Sequence, residues 1–296
     1  MERLIPHDVL DNKYIIKKLI DDSGAYGKVY LVETPDGKLY AAKVFSIIEN
    51  DSLIYYSNPR NEINFLSKIN HAHVIKYISD GIGPLIFNNK YYGNKQYLIM
   101  EYAENLTLFD YSTKFQYGFP EDLAKILCWI IFSTVNNCHK QGIFISDIKV
   151  ENILVGDNFD IKLSDFGGAR EIDPNDEVTK NLKGGVKTDA YAAPEMLNRK
   201  EYNAIKAEIF SLGVVAFALL TGTYGFTKAS TDDKLYKYIM DNKIDEYIDE
   251  ISKILPNFKN INRDFLDLYF KMVSFNPSDR PPLDYILGEI NWFEEI

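Results

Sequence analysis

The apolar pattern of this chain changes period once, and that change constrains its fold more than anything else in it. Over roughly the first hundred residues the apolar side chains fall in short alternating or β-branched runs, and beyond them they recur at helical spacing. Residues 14–19 and 29–33 read as strands joined by "IDDSGAYGK", and "TPDGK" (34–38) is a hairpin turn leading into a third strand, "LYAAKVFS". In "NPRNEINFLSKI", Asn58 is placed as N-cap and Pro59 at the first helical position, with Ile63, Leu66 and Ile69 as the apolar stripe. "VIKYISDGI" and "QYLIMEY" predict two more strands, separated by a polar, Tyr/Asn-rich loop over 83–95. A long helix follows in "PEDLAKILCWIIFSTVNNCHKQG", from Pro120 to the stop signal Gly142, and further helices are expected over roughly 204–220, 232–241, 263–273 and 282–292. This order predicts an α+β fold in two parts, a small antiparallel sheet with one main helix over 1–102 and a larger helical part over 103–296.

Bulk properties narrow the function classes. A chain of 296 residues suits one large domain or two lobes around a shared cleft, and 46% hydrophobic with 26% charged residues is enough for a packed core. A net charge of -10 speaks against non-specific binding to nucleic acid or an acidic membrane and favours basic partners. Cys128 and Cys138 fall in the same predicted helix. Their separation is about 15 Å at about 1.5 Å of rise per residue, too far to bridge. Free thiols point to a reducing compartment. His7, His71, His73 and His139 do not group with acidic or sulfur ligands at metal spacing, so no zinc site is expected. "MERLIPHDVLDNKY" has no apolar run suited to a signal peptide, and "SLGVVAFALLTG" (211–222) is too short to span a bilayer and reads as a buried helix. A cytoplasmic monomer without membrane attachment is the expectation.

The residues suited to chemistry form an ordered series. The glycines of "DDSGAYGKV" allow backbone N–H groups to close over phosphates with no Cβ in the way. Lys43 in "YAAK" has a long, flexible stem that needs an acidic partner, and Glu62 on the following helix is the candidate. A lone Lys or Glu is usually a surface charge. The series continues through "SDIKVENILV", where Asp147, Lys149 and Asn152 are spaced D-x-K-x-x-N, then "SDFGG" with Asp165, "TDAYAAPE" and "NPSDRPP". Asn152 and Asp165 offer the oxygen donors that a hard cation such as Mg²⁺ prefers.

In order and spacing, and over nearly the whole chain, this series resembles the eukaryotic-type protein kinases. The resemblance implies the two-lobed protein-kinase fold, ATP and Mg²⁺ as cofactors, and a protein substrate. It aligns Asp22, Gly24, Gly27 and Val29 with the glycine-rich loop, Lys43 with the lysine on the α- and β-phosphates, and Glu62 with its helix partner. Val29 and Ala41 would lie above the adenine and Leu154 below it, Met100 would guard the back of the pocket, and the backbone of Glu101 and Ala103 would bond the adenine edge. Asp147 matches the catalytic aspartate and Lys149 the lysine that stabilises the transferring phosphoryl group, while Asn152 and Asp165 match the metal ligands. Glu195 would pair with Arg280, and Thr188 occupies the position of a threonine that contacts Asp147 and Lys149 in Ser/Thr kinases. Glu151 resembles a position that reads a basic residue near the target hydroxyl; a solvated glutamate is the plain alternative.

Several positions depart from the family pattern. Asp22 replaces the first glycine, and Ile145-Ser146 stand where the family has His-Arg. By the resemblance Ile145 keeps a stack with Leu66, Tyr77 and Phe166, whereas Ser146 lacks the guanidinium that pairs with an activation-loop phosphate. Glu208 replaces an aspartate that braces the catalytic loop, so the brace is expected to shift. Two readings stay open: a Ser/Thr kinase whose activation loop orders without phosphorylation, and a pseudokinase acting as an ATP-binding scaffold or allosteric partner. A small-molecule phosphotransferase of the same fold is disfavoured by the 188–195 segment and by Arg280.

Overall fold

Alternation of buried and exposed side chains builds the strands of the first of two compact units, Met1–Asn105 with Gly156–Gly168; the second is Leu106–Val155 with Ala169–Ile296. The computed structural model describes residues 8–22, 27–46, 59–114, 118–173, 178–179, 189–197, 201–256 and 258–293. The first unit contains β1 (Val9–Leu10), β2 (Tyr14–Asp21), β3 (Gly27–Glu33), β4 (Leu39–Phe45), β5 (Tyr77–Phe87) and β6 (Lys90–Glu101). The "TPDGK" segment makes the expected turn: Gly37 N–H donates to the Thr34 carbonyl at 2.8 Å, with Gly37 at a φ of +84° that glycine adopts without penalty.

Every pairing of the sheet is antiparallel, and the sheet does not end in free edges: it closes into a barrel in the order β1-β2-β3-β4-β6-β5. Closure depends on β1, where Val9 is opposite both Ile15 of β2 and Ile86 of β5. Nor is 83–95 a loop: β5 and β6 continue through it as a long hairpin that reverses at Asn88 and Asn89, whose φ values are 52° and 59°. Successive positive φ values in a two-residue connection match the right-handed twist of paired strands, and asparagine tolerates them. Leu10, Ile16, Tyr30, Val32, Ala42, Val44, Leu85, Tyr97 and Ile99 fill the barrel, with Leu19 and Phe87 packed against them.

Outside the barrel, helix α1 (Pro59–Leu66) buries Glu62, Phe65 and Leu66; Ile69 is also buried but lies beyond its end, and Asn58 lies outside the described residues. The segment 156–168 is tied to the first unit by backbone bonds from Ile75 N to Leu163 O (2.9 Å) and Leu163 N to His73 O (2.8 Å).

The second unit is helical: α2 (Leu108–Ser112), α3 (Glu121–Lys140), α4 (Pro194–Leu197), α5 (Ala204–Thr221), α6 (Lys234–Met240), α7 (Ile244–Ile254), α8 (Arg263–Met272) and α9 (Leu283–Glu289). Helix α3 ends where Gly142 takes a φ of +73°, and it carries both cysteines, which are buried. Burial raises both thiols, Cys138 to about 12 with Glu208 adding to the effect, so neither is a ready nucleophile. Helix α5 packs on α3 and α8. It extends the apolar run to 18 residues, long and apolar enough by itself to cross a membrane, but 83% of it is buried inside the protein. Helix α7 was not anticipated, although Ile244, Tyr247, Ile248 and Ile251 repeat at helical spacing.

Candidate active site

Strand β4 places Lys43 opposite Val29 of β3 and Leu98 of β6. Its Nζ lies 2.7 Å from Glu62 Oε2 and 3.0 Å from Asp165 Oδ1, so α1 and the 156–168 segment both aim a carboxylate at it. Burial opposes the lysine charge, but Glu62 and then Asp165 outweigh it and hold the ammonium well above the usual lysine range. Asp165 has a φ of +61°, and Asn61 Nδ2 donates to the Gly167 carbonyl at 3.1 Å beside it. Gly27 begins β3 where a Cβ would meet the Val44 carbonyl oxygen at 2.6 Å, so only glycine permits that strand approach. Val29 is half-buried, Ala41 and Met100 are buried, and Glu101 and Ala103 are half-buried. The Glu101 carboxylate accepts from Lys76 N at 2.7 Å. Gly24 lies outside the described residues.

A second cluster sits on the loop after α3. Lys149 Nζ donates to Asp147 Oδ2 at 2.8 Å, and Asn152 Nδ2 donates to the Asp147 carbonyl at 2.8 Å and to its Oδ2 at 3.2 Å. The D-x-K-x-x-N spacing therefore closes on itself, Lys149 and Asn152 orienting one carboxylate. Leu154 follows on a short strand and bridges Thr107.

Glu208 of α5 holds this loop from below. Its Oε1 accepts from Ile145 N at 2.8 Å and Ser146 N at 2.6 Å, and its Oε2 lies 2.6 Å from His139 Nε2. The methylene beyond an aspartate thus does not forfeit the brace. Ser146 has a φ of +81°, a conformation that costs a non-glycine residue on the order of 1 kcal/mol or more and is held here by the carboxylate. His139, considered in the sequence only for metal spacing, belongs to this site; the polar Glu208 inside an apolar helical run is the signal that a buried partner exists.

Glu151 is flanked by two tyrosines. The Tyr191 hydroxyl donates to its Oε2 at 3.3 Å and the Tyr224 hydroxyl to its Oε1 at 3.4 Å, and the rings meet edge to face at 5.5 Å. Burial and then the Glu151 charge raise Tyr191, so it remains a donor. The sequence held no sign of these tyrosines. Arg280 grips Glu195 with both Nη atoms, at 2.6 and 2.9 Å. Thr188 lies outside the described residues; Val178 and Thr179, nearby in sequence, pair as a short strand with Tyr202 and Asn203.

The family description that matches residues 17–293 is the protein kinase domain. Among curated proteins, the Aurora kinase of Saccharomyces cerevisiae is 32% identical over 275 residues, covering 92% of this chain and 66% of the relative. CBL-interacting serine/threonine-protein kinase 20 of Arabidopsis thaliana is 27% identical over 293 residues, covering 97% and 60%, and CBL-interacting protein kinase 12 of Oryza sativa subsp. japonica is 31% identical over 239 residues, covering 80% and 39%. The chain thus spans about two fifths to two thirds of the length of these relatives. With a family match over nearly its whole length, the chain belongs to the protein kinase domain family.

Proposed function

We propose that this chain has the two-lobed kinase fold and is an active serine/threonine protein kinase, transferring the γ-phosphate of ATP to a protein hydroxyl without needing a phosphate on its activation loop. The observation that carries the reading is the retention of every required charge in an ordered setting: Lys43 between Glu62 and Asp165, and Asp147 between Lys149 and Asn152. These residues suit the cofactors chemically. Lys43 is a fixed ammonium of the kind that takes phosphate oxygens, and Asp165 and Asn152 carry the hard oxygens that Mg²⁺ accepts. Bound Mg²⁺ supplies neutralisation of phosphate charge.

On this reading the protein's own contribution is positioning and electrostatics. Asp147 orients the substrate hydroxyl and takes its proton, and Lys149 places positive charge beside it. Glu151, oriented by Tyr191 and Tyr224, recognises a basic residue of the substrate. Labelled γ-phosphate supplied as Mg·ATP should enter the protein and a basic generic substrate; nucleotide binding with no transfer would instead identify an ATP-binding scaffold.

Independence from phosphorylation is supported by Ser146, which has no cationic group for a phosphate, and by Glu208, which holds the loop backbone directly. Phosphatase-treated protein, verified by mass spectrometry to lack phosphate at Thr179 and Thr188, is expected to keep its initial rate; a loss of activity restored by rephosphorylation would refute this. Glu151→Gln is expected to lower kcat/KM for a basic peptide by about tenfold, the weight of one charge-assisted contact. For the same peptide without its basic residue the change should be negligible.

A further inference from the structure

The hairpin that replaces the expected loop does more than close the barrel. Its tip and the ends of β2, β3 and β4 surround a cavity of about 370 Å³ at one mouth of the barrel. That volume lies within the range of about 300–1,000 Å³ usual for small-molecule sites, and barrel mouths are among the places where such sites form. Every lining residue belongs to the first unit, and none is among the nucleotide-binding or catalytic residues assigned above.

The chemistry of the lining is two-sided. Leu19, Val44, Leu85 and Phe87 give an apolar floor and wall continuous with the barrel core. Lys28 and Lys95 stand at the rim, and among the described residues neither has an acidic partner, in a chain whose net charge is -10. Tyr30 is 4% exposed, packs edge to face on Phe87 at 5.1 Å, and has no hydrogen-bond partner among the described residues. Tyr30 also lines the cavity, where its hydroxyl can donate to a ligand acceptor. Burial raises Tyr30 above the usual phenol range, and the nearby Tyr92 and Asp22 add to this, so the hydroxyl stays a donor.

We propose that this barrel mouth binds a small amphipathic carboxylate, an alkyl or aryl acid, with its apolar body on Leu19, Val44, Leu85 and Phe87 and its carboxylate taken by Lys28, Lys95 and the Tyr30 hydroxyl. An uncharged apolar molecule makes no use of the two ammonium groups, and a compact anion such as phosphate leaves the apolar wall wet. Val44 points into the barrel and Lys43, its neighbour along the strand, to the opposite face, so the acid and the nucleotide are not expected to compete.

Octanoate, 4-phenylbutyrate, octanol and inorganic phosphate, titrated by calorimetry into the full chain with and without Mg·ATP, test the assignment. The two acids are expected to saturate one site per chain at unchanged affinity in the presence of nucleotide, with amide shifts confined to β2–β6, and octanol and phosphate to bind at least about tenfold more weakly. Joint replacement K28A/K95A is expected to weaken octanoate about tenfold or more, and Tyr30→Phe about threefold, with thermal transitions unchanged. Octanol binding as well as octanoate, no effect of the lysine replacements in a folded protein, or displacement by ATP would each overturn the proposal. The binding readout does not involve phosphate transfer, so it stands or falls separately from the kinase reading.

Discussion

Asp147→Asn is expected to lower phosphate transfer by about 10²- to 10⁴-fold, the usual weight of a positioned general base, while nucleotide affinity stays within about twofold. The replacement preserves shape but removes the charge that Lys149 Nζ and Asn152 Nδ2 both point at. Both bond the same oxygen, so an amide presents either a donor to both or a weaker acceptor to both. Lys43→Met should abolish transfer as completely but also weaken nucleotide binding and lower stability. It leaves Glu62, 2% exposed, and Asp165 as two carboxylates around a missing cation, and such a pair is relieved only by protonation or by movement. Measuring transfer, nucleotide affinity and thermal midpoint together separates the two roles. Equal transfer by Asp147→Asn and the unmodified chain would remove Asp147 from the chemistry.

Arg280→Met is expected to cost about 3–5 kcal/mol, the range for breaking a buried ion pair by deleting one partner. The guanidinium is fully buried: it binds Glu195 bidentately, donates to the Ser274 and Lys206 carbonyls at 2.9 Å each, and sits over the Phe210 ring at 5.1 Å. Methionine fills the volume but strips Glu195 of its bidentate donor and removes one donor each from the Ser274 and Lys206 carbonyls. A fall of roughly 6–20 °C in the transition midpoint is the readout. Arg280→Lys should lie between, because a point charge cannot reproduce the fork. Adding Glu195→Gln to Arg280→Met should recover part of the loss by removing the stranded charge. A single variant as stable as the parent chain would show that the pair carries little of the fold.

What the sequence by itself determined follows from short-range physics. The period change near residue 100, the turn at 34–38, the span of α3 and its end at Gly142 all rest on hydrophobic spacing and on backbone preferences that act within a few residues. The loop geometry around Asp147 is legible for the same reason: three side chains within six positions can only meet locally. Beyond the Lys43–Glu62 and Glu195–Arg280 pairs, which the family resemblance supplied, non-local closures were not. Nothing near β1 says that Val9 pairs with Ile86, and without that pairing the hairpin over 83–95 reads as polar loop rather than barrel wall. His139 and Glu208 are 69 residues apart, and Glu151 and Tyr224 are 73 apart. Residues 156–168 join the first unit by backbone bonds to His73 and Ile75 that no local pattern encodes. In each case the deciding contribution is the pairing or burial of a polar group against a distant partner, which exists only once the chain has folded. The charged groups of the site and the Lys43–Glu62 and Glu195–Arg280 pairs were thus legible in the chain, whereas the His139–Glu208 brace, the tyrosines on Glu151 and the closure of the barrel were decided by tertiary structure.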